Sequence, residues 1–343
     1  MVFFYFKSGL GPDFFMRLIR HFDEVPSELR GGVIALGNFD GLHLGHQAVI
    51  GEAKRIAKRE KMSVGLMTFE PHPRLFFQAD LEPFRLSPFR IKVRLIETMN
   101  VDLLYVQKFD REFSQRSAEN FIEDILMGGL GAKHVVVGDD YVFGRGRSGN
   151  LEILEKHAKR LGFKVTPVPE LTGQGGTRYS STTIRDRLAD GRCEGAALLL
   201  GRYWEIEGRV EHGDQRGRFM GFPTANLSHR DYLHPKKGVY AVRTGIDQGG
   251  QTTWRNGIAN FGHRPTFDKK DVILETHVFD YEEDLYNRHL RVALIEHIRP
   301  EMKFENVSAI KDQIATDCDT AREILERYDF PAAAPFVPVI SSL

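Results

Sequence analysis

Cysteine is scarce in this sequence: two residues in 343, Cys193 and Cys318, far apart and without metal-ligand spacing. That excludes a disulfide-stapled scaffold and a thiolate metal site, and it fits a reducing compartment. Long apolar runs are absent as well. No stretch reaches the ~20 residues a spanning helix needs, and the apolar start over residues 2–6 has neither a basic flank nor a small-residue cleavage site. A cytoplasmic chain without a membrane partner is expected. Neither charge sign dominates, with 47 Lys plus Arg against 47 Asp plus Glu, so no basic face selects nucleic acid and none is expected as a partner. Internal repeats and low-complexity tracts are also missing. With 41% hydrophobic and 27% charged residues, what remains is an ordinary globular composition, long for one core and comfortable for two. Monomer and transient homo-oligomer are both compatible with it.

Two rhythms divide the chain. Up to about residue 200, short apolar runs (33–36, 64–69, 103–106, 135–137, 164–168) alternate with helical periods (47–60, 88–99, 118–127, 151–161). Such alternation predicts a parallel sheet covered on both faces, an α/β domain whose ligands bind beyond the carboxyl ends of the strands. From about residue 203 the pattern becomes strands at 204–210, 238–243, 255–259, 272–279 and 290–298 with Gly/Pro turns, closed by a helix at 307–327. This predicts a small antiparallel β-barrel with a C-terminal helix outside it. The expected domains are residues 16–187 and 203–330, with a helical connection at 188–202 and disordered tails at 1–15 and 331–343.

The first chemical motif follows the first strand: Gly37-Asn38-Phe39-Asp40-Gly41-Leu42-His43-Leu44-Gly45-His46. A helix starting there presents unpaired N–H groups and the positive end of its dipole to phosphate oxygens. Gly41 and Gly45 permit close backbone approach, and the imidazoles can donate to charge that builds on a phosphate. Taken alone, the motif reads somewhat more readily as a plain helix start with two unremarkable histidines. Three more elements leave strands or open helices in this half. Phe69-Glu70-Pro71-His72-Pro73-Arg74 is a proline-stiffened loop with an aromatic. Residues 138–147 bring Asp139, Asp140 and arginines to the same sheet edge, and Ser180-Ser181-Thr182-Thr183-Ile184-Arg185 opens a helix. Each also has a bland reading as a turn, a polar loop or an N-cap.

In the second half, Gly221-Phe222-Pro223-Thr224-Ala225-Asn226 follows a glycine-rich run through Arg216, Gly217 and Arg218. Spaced by one in an extended segment, Thr224 and Asn226 point to one side and offer two hard oxygen ligands to Mg²⁺. The run lacks the Gly-Lys-Ser/Thr ending of a P-loop. Further downstream lie Gly238-Val239-Tyr240, the stretch 260–267, Leu274-Glu275-Thr276, Asp284-Leu285-Tyr286 and Ile298-Arg299-Pro300-Glu301-Met302-Lys303-Phe304.

In this order the motifs resemble the bacterial bifunctional riboflavin kinase/FAD synthetase family. Its adenylyltransferase half, a Rossmann-like nucleotidylyltransferase, matches residues 16–200, and its kinase half matches 203–327. The resemblance implies phosphorylation of riboflavin by ATP and adenylylation of FMN by a second ATP, with Mg²⁺ as cofactor. It implies ATP contacts from Gly37, Asp40, Gly41, His43, His46, Asp140, Ser181 and Arg185, with Arg178 a weaker candidate. Phe69, Pro71, Pro73 and Arg74 would line the FMN site. In the kinase, Gly217, Arg218, Gly221, Thr224 and Asn226 would hold ATP and metal, Arg299, Glu301 and Phe304 the flavin, and Glu275 would be the catalytic base. The sequence departs from the family's usual pattern at Asn287, where Gly is common after Leu-Tyr, and at Phe219-Met220; both bear on loop shape. Two rival readings, a single active half or a flavin carrier without turnover, would require decay of phosphate-contacting positions, and those positions are intact.

Overall fold

The computed structural model describes residues 16–78, 80, 82–173, 176–212, 217, 220–229, 231–247, 252–263 and 272–328. The two tails, Arg216, Arg218 and Phe219 therefore lie outside the described residues. Contacts group the chain into two units. One runs to Leu81 and resumes over Phe89–Tyr179; the other takes Glu82–Pro88 and the described residues from Ser180 on.

The first unit is built on β1 (Arg17–Arg20), β2 (Gly32–Leu36), α1 (Leu44–Glu60), β3 (Ser63–Glu70), α2 (Pro73–Phe77), α3 (Phe89–Glu97) and β4 (Leu103–Lys108). There follow α4 (Arg111–Ser114), α5 (Ala118–Asn120) running on as π-helical turns over Phe121–Gly129, β5 (His134–Gly138), α6 (Leu151–Leu161) and β6 (Lys164–Val168). The strands form one sheet in the order β1-β4-β3-β2-β5-β6, every pairing parallel. Unbroken apolar runs suit this arrangement because helices cover both faces: all five residues of β2 are buried. Local signals set the helix ends. Asn150 caps α6 by accepting from Ile153 N at 3.0 Å, and Gly162 ends it in the left-handed region. The edge strand β1 has no counterpart among the expected strands; it is four residues long and exposed at both ends.

Chain order reverses at β2. Successive strands step from β2 to β3 to β4, and β5 then pairs on the opposite side of β2. A crevice opens at such a switch point beyond the carboxyl ends of the strands. The loops after β2, β3 and β5, on three adjacent strands, carry three of the four motifs read from the first half; the fourth, Ser180–Arg185, opens a helix of the second unit.

In the second unit α7 (Ser181–Ala189) and α8 (Cys193–Leu200) precede β7 (Glu205–Glu211), β8 (Ala225–Leu227), β9 (Gly238–Asp247), β10 (Thr252–His263), β11 (Val272–Val278), β12 (His289–Arg299) and α9 (Val307–Glu326). The strands close into an antiparallel barrel, β10-β11-β8-β7-β12-β9. Inward residues such as Tyr240, Phe261, Leu274 and Thr276 fill it, while α9 lays Cys318, Ala321, Ile324 and Leu325 on outward Val239, Ala241 and Ala293. The segment Glu82–Pro88 belongs here through its backbone: Phe84 O accepts from Arg185 Nε, Leu86 O from Trp204 Nε1 and Arg85 O from Leu233 N, each at 2.8 Å.

The core has one acid-sensitive point in the sheet. His134 is buried at the start of β5 with Nε2 2.8 Å from Thr166 Oγ1, and burial pushes its pKa below the ordinary 6.5. Above pH 6.5 the ring is neutral in folded and unfolded chains alike, and its stabilising effect is fully present. As pH falls below that value the unfolded chain takes up the proton first, so stability is lost progressively down to the folded-state pKa. Thermal melts between pH 7 and pH 5 should show a smaller acid-induced drop in Tm for His134→Gln than for the parent. An identical drop in both would remove His134 as the cause.

Candidate functional site

The loop between β2 and α1 is held in an uncommon backbone shape. Phe39 (φ 49°), Gly41 (φ 81°) and Leu42 (φ 44°) all have left-handed dihedrals. Left-handed backbone costs a non-glycine residue about 1–2 kcal/mol, and such strain gathers where geometry serves a ligand. Tertiary bonds hold the loop: Thr68 Oγ1 donates to Asn38 O at 3.1 Å and Gln47 Nε2 to Leu42 O at 2.9 Å. Asp40 is buried at 2% exposure.

His43 is the N-cap of α1, its Nδ1 accepting from His46 N at 3.3 Å. That bond assigns the ring proton to Nε2 and makes Nε2–H the donor. The His46 ring stacks on His43 with centroids 3.6 Å apart, and Phe39 meets His46 edge-on at 5.4 Å. Gly45 is required by close approach: a Cβ there would lie 3.1 Å from the His43 ring and from Tyr179 O. A helix N-terminus with two stacked imidazoles is thus built into one rigid turn, suited to a phosphate chain.

The neighbouring loops are placed as follows. After β3, Pro71 leads into α2, where Pro73 takes the first position and His72 Nδ1 accepts from Arg74 N at 3.1 Å. The Arg74 guanidinium reaches Gln78 at 3.4 Å. Phe69 is 8% exposed, its ring 5.6 Å from Phe113 and 6.2 Å from Phe109, so it backs the loop from the core. After β5, Asp140 is exposed beside Gly138, and Arg178 is ion-paired with Glu170. In the second unit Ser180, rather than Ser181, caps α7, accepting from Thr183 N at 3.1 Å, and Arg185 lies 5.1 Å over the Phe84 ring.

The barrel presents the second motif. Thr224 lines a cavity of about 410 Å³ together with Pro223, Tyr281, Asp284 and Tyr286. Gly217 stands against it: a Cβ there would fall 2.4 Å from Phe222 O and 3.2 Å from Thr224 Oγ1. His277 Nδ1 lies 2.8 Å from Pro223 O, pinning the turn. Asn226, on β8, has its Oδ1 buried with no hydrogen-bond partner among the described residues, which is costly unless a ligand satisfies it. Glu275 lies directly opposite Asn226 in the β11–β8 pairing. Gly221 is left-handed at φ 90°, ending the turn before Phe222. Arg299 is committed to Asp317 of α9, with Nε 2.9 Å and Nη2 2.6 Å from its carboxylate, and stands over the Phe304 ring at 5.8 Å. Glu301 packs on Gly262, where a Cβ would meet Oε1 at 1.9 Å. The capping role of His72 and the cavity wall at Tyr281 were not anticipated; the second adjoins the quoted Asp284-Leu285-Tyr286, so that motif held the signal.

The FAD synthetase family model matches residues 25–183, and the riboflavin kinase model matches residues 200–325. Proteins described as bifunctional riboflavin kinase/FMN adenylyltransferase are similar along nearly the whole chain. The one from Escherichia coli K12 is 41% identical over 90% of this chain and 97% of its own. That from Haemophilus influenzae is 38% identical over 90% and 98%, and that from Bacillus subtilis 37% over 85% and 92%. A solved structure described as a macrolide-efflux protein from Streptococcus pneumoniae superposes with a TM-score of 0.78 at 29% identity, covering 91% of this chain and 99% of that one. Among the described residues, no helix is long and apolar enough to cross a membrane. The chain belongs to the bifunctional riboflavin kinase/FMN adenylyltransferase family, and it is an enzyme with both activities.

Proposed function

We propose a division of labour in which the two reactions run on separate residue sets, adenylyl transfer within residues 16–187 and phosphorylation within residues 203–330. The observation that carries it is the buried Oδ1 of Asn226, without a hydrogen-bond partner among the described residues, next along the strand from a cavity lined by Thr224 and Ala225 and set apart in sequence from the histidine-capped helix.

In the kinase, ATP donates its γ-phosphoryl group to the 5′-hydroxyl of the riboflavin ribityl chain, giving FMN and ADP. Glu275 accepts the hydroxyl proton. Gly217, Arg218 and Gly221 contact the ATP phosphates, and Arg299, Glu301 and Phe304 border the flavin. The Thr224 hydroxyl and the Asn226 carbonyl oxygen are hard ligands that fit Mg²⁺ and would hold it, and the cation would supply charge neutralisation on the phosphates. In the transferase, an FMN phosphate oxygen attacks the α-phosphorus of a second ATP and pyrophosphate leaves. The phosphate is already anionic, so alignment and charge stabilisation suffice. Gly37, Asp40 and Gly41 hold the loop, and His43 and His46 donate to the phosphate oxygens. Asp140, Ser181 and Arg185, with Arg178, are further ATP ligands. Pro71, Pro73 and Arg74 border FMN with Phe69 behind them. The substrates are small molecules made and used in the cytoplasm, and neither nucleic acid nor membrane takes part.

A flavin product assay tests this reading. With riboflavin, ATP and Mg²⁺, FMN should rise and then give way to FAD in the parent. Asn226→Ala and Thr224→Ala should raise the Mg²⁺ concentration for half-maximal riboflavin phosphorylation by at least about tenfold, the lower end of the loss an outer-sphere partner causes. FAD formation from supplied FMN should continue in both variants. An unchanged Mg²⁺ requirement would remove these residues from the metal site.

A further inference from the structure

Lys92 of α3 is a buried charge that neither reaction accounts for. It is 2% exposed, and among the described residues its ammonium meets one carboxylate, Glu70 Oε1, at 2.9 Å. Lysine is almost never fully buried unless paired, because its charge loses hydration there. Such a pair is a poor device for stability alone: apolar residues of similar volume often serve as well or better. What a charge-assisted hydrogen bond adds is direction. Glu70 is the last residue of β3, and Pro71 follows it directly. Side chains alternate along a strand, so with Phe69 turned into the core aromatics, Glu70 faces the side from which Lys92 reaches it. Its carbonyl oxygen is held as well, accepting from Phe109 N at 2.9 Å. From there Pro71 and Pro73 restrict the backbone, and His72 caps α2 through Arg74 N. A loop this stiff passes the setting of Glu70 on to Pro71, Pro73 and Arg74 instead of absorbing a change.

We infer that Lys92 is a positioning residue for adenylyl transfer: through Glu70 it sets the loop against which FMN lies. This role rests on the reading of Pro71, Pro73 and Arg74 as the FMN border. A second bond, two residues earlier on β3, makes the effect selective. Thr68 Oγ1 holds the histidine loop by donating to Asn38 O at 3.1 Å, so the ATP side of the site has its own anchor. Loss of Lys92 therefore loosens the hold on FMN and leaves the hold on ATP. Contacts that bind substrate and transition state alike show in KM rather than in kcat.

The test is steady-state FAD formation by the full chain for Lys92→Met, Lys92→Met/Glu70→Met and Arg74→Ala, with riboflavin phosphorylation measured in parallel. Lys92→Met should raise KM for FMN by about tenfold, the lower end of the loss for one hydrogen bond between charged groups. KM for ATP, kcat at saturating FMN and riboflavin phosphorylation should stay close to the parent. A purely structural role gives the reverse split: fewer folded molecules lower kcat and leave both KM values in place. That outcome overturns the inference. The double variant decides even where Lys92→Met folds poorly, since removing both charges leaves no unpaired ion in the core. It should melt close to the parent and still show the raised KM for FMN. A KM that returns together with Tm means that the pair serves stability alone, and the inference falls. Arg74→Ala separates this role from the reading beneath it. If its KM for FMN is unchanged, the loop does not border FMN, and the role of Lys92 falls with that reading. If it rises, the Lys92 variants judge Lys92 alone.

Discussion

Replacing His43 or His46 by alanine should lower FAD formation from FMN by about 10²- to 10³-fold, the usual loss when a preorganised donor to developing charge is removed, while FMN formation from riboflavin continues at close to the parent rate. The two side chains share one turn but differ in what else they do. His43 also caps α1 by accepting from His46 N, so His43→Ala loses a cap worth about 1 kcal/mol. Against the 5–15 kcal/mol of a typical domain that loss is too small to unfold the unit. His43→Asn isolates the chemistry, because asparagine restores the capping acceptor but brings no imidazole donor at the phosphate. It should recover the Tm of the parent without recovering FAD synthesis. Recovery of activity along with Tm would mean that His43 acts through the helix alone. Parallel loss of both activities would contradict separate residue sets.

Glu275→Gln should lower riboflavin phosphorylation by about 10²- to 10⁴-fold, the range for a general base, and leave FAD formation from supplied FMN unchanged. Glutamine is nearly isosteric, and its neutral amide would sit in a row already holding Asn226 and Asn260, so neither packing nor like-charge repulsion disturbs the barrel. The pH profile adds a signature that a folding defect does not produce. The parent should lose kcat/KM on the acid side as Glu275 takes up a proton, and in Glu275→Gln that limb should vanish from the residual rate. Activity within a few-fold of the parent would sink the assignment.

Much of the fold was legible because its signals are local. Expected strands at 103–106, 135–137 and 164–168 correspond to Leu103–Lys108, His134–Gly138 and Lys164–Val168, since apolar runs bounded by turns need only adjacent residues to be read. The helix at 151–161 was readable from its Asn150 cap and Gly162 stop. β1 escaped notice because four residues, Arg-Leu-Ile-Arg, carry too short a pattern, and only pairing with β4 makes them a strand. β8 is three residues long and lies inside the motif Pro-Thr-Ala-Asn, whose extended backbone was expected but whose pairing partners were not.

For the sites, the sequence by itself determined which chemistry-bearing residues exist and in which order: His43 and His46 at a helix start, Thr224 and Asn226 one apart in an extended run, Glu275 on a later strand. It determined the family and the two activities as well, because ordered motifs survive without any knowledge of what touches what. Only the tertiary structure decided that Phe69 sits among core aromatics, that Arg299 is held by Asp317, and that residues 82–88 serve the barrel unit. It alone set Asn226, Glu275 and Asn260 side by side. The physical reason is separation along the chain. Capping and periodicity act within a turn or two, whereas strand register joins residues tens of positions apart, and it is fixed by which side chains fill the barrel interior.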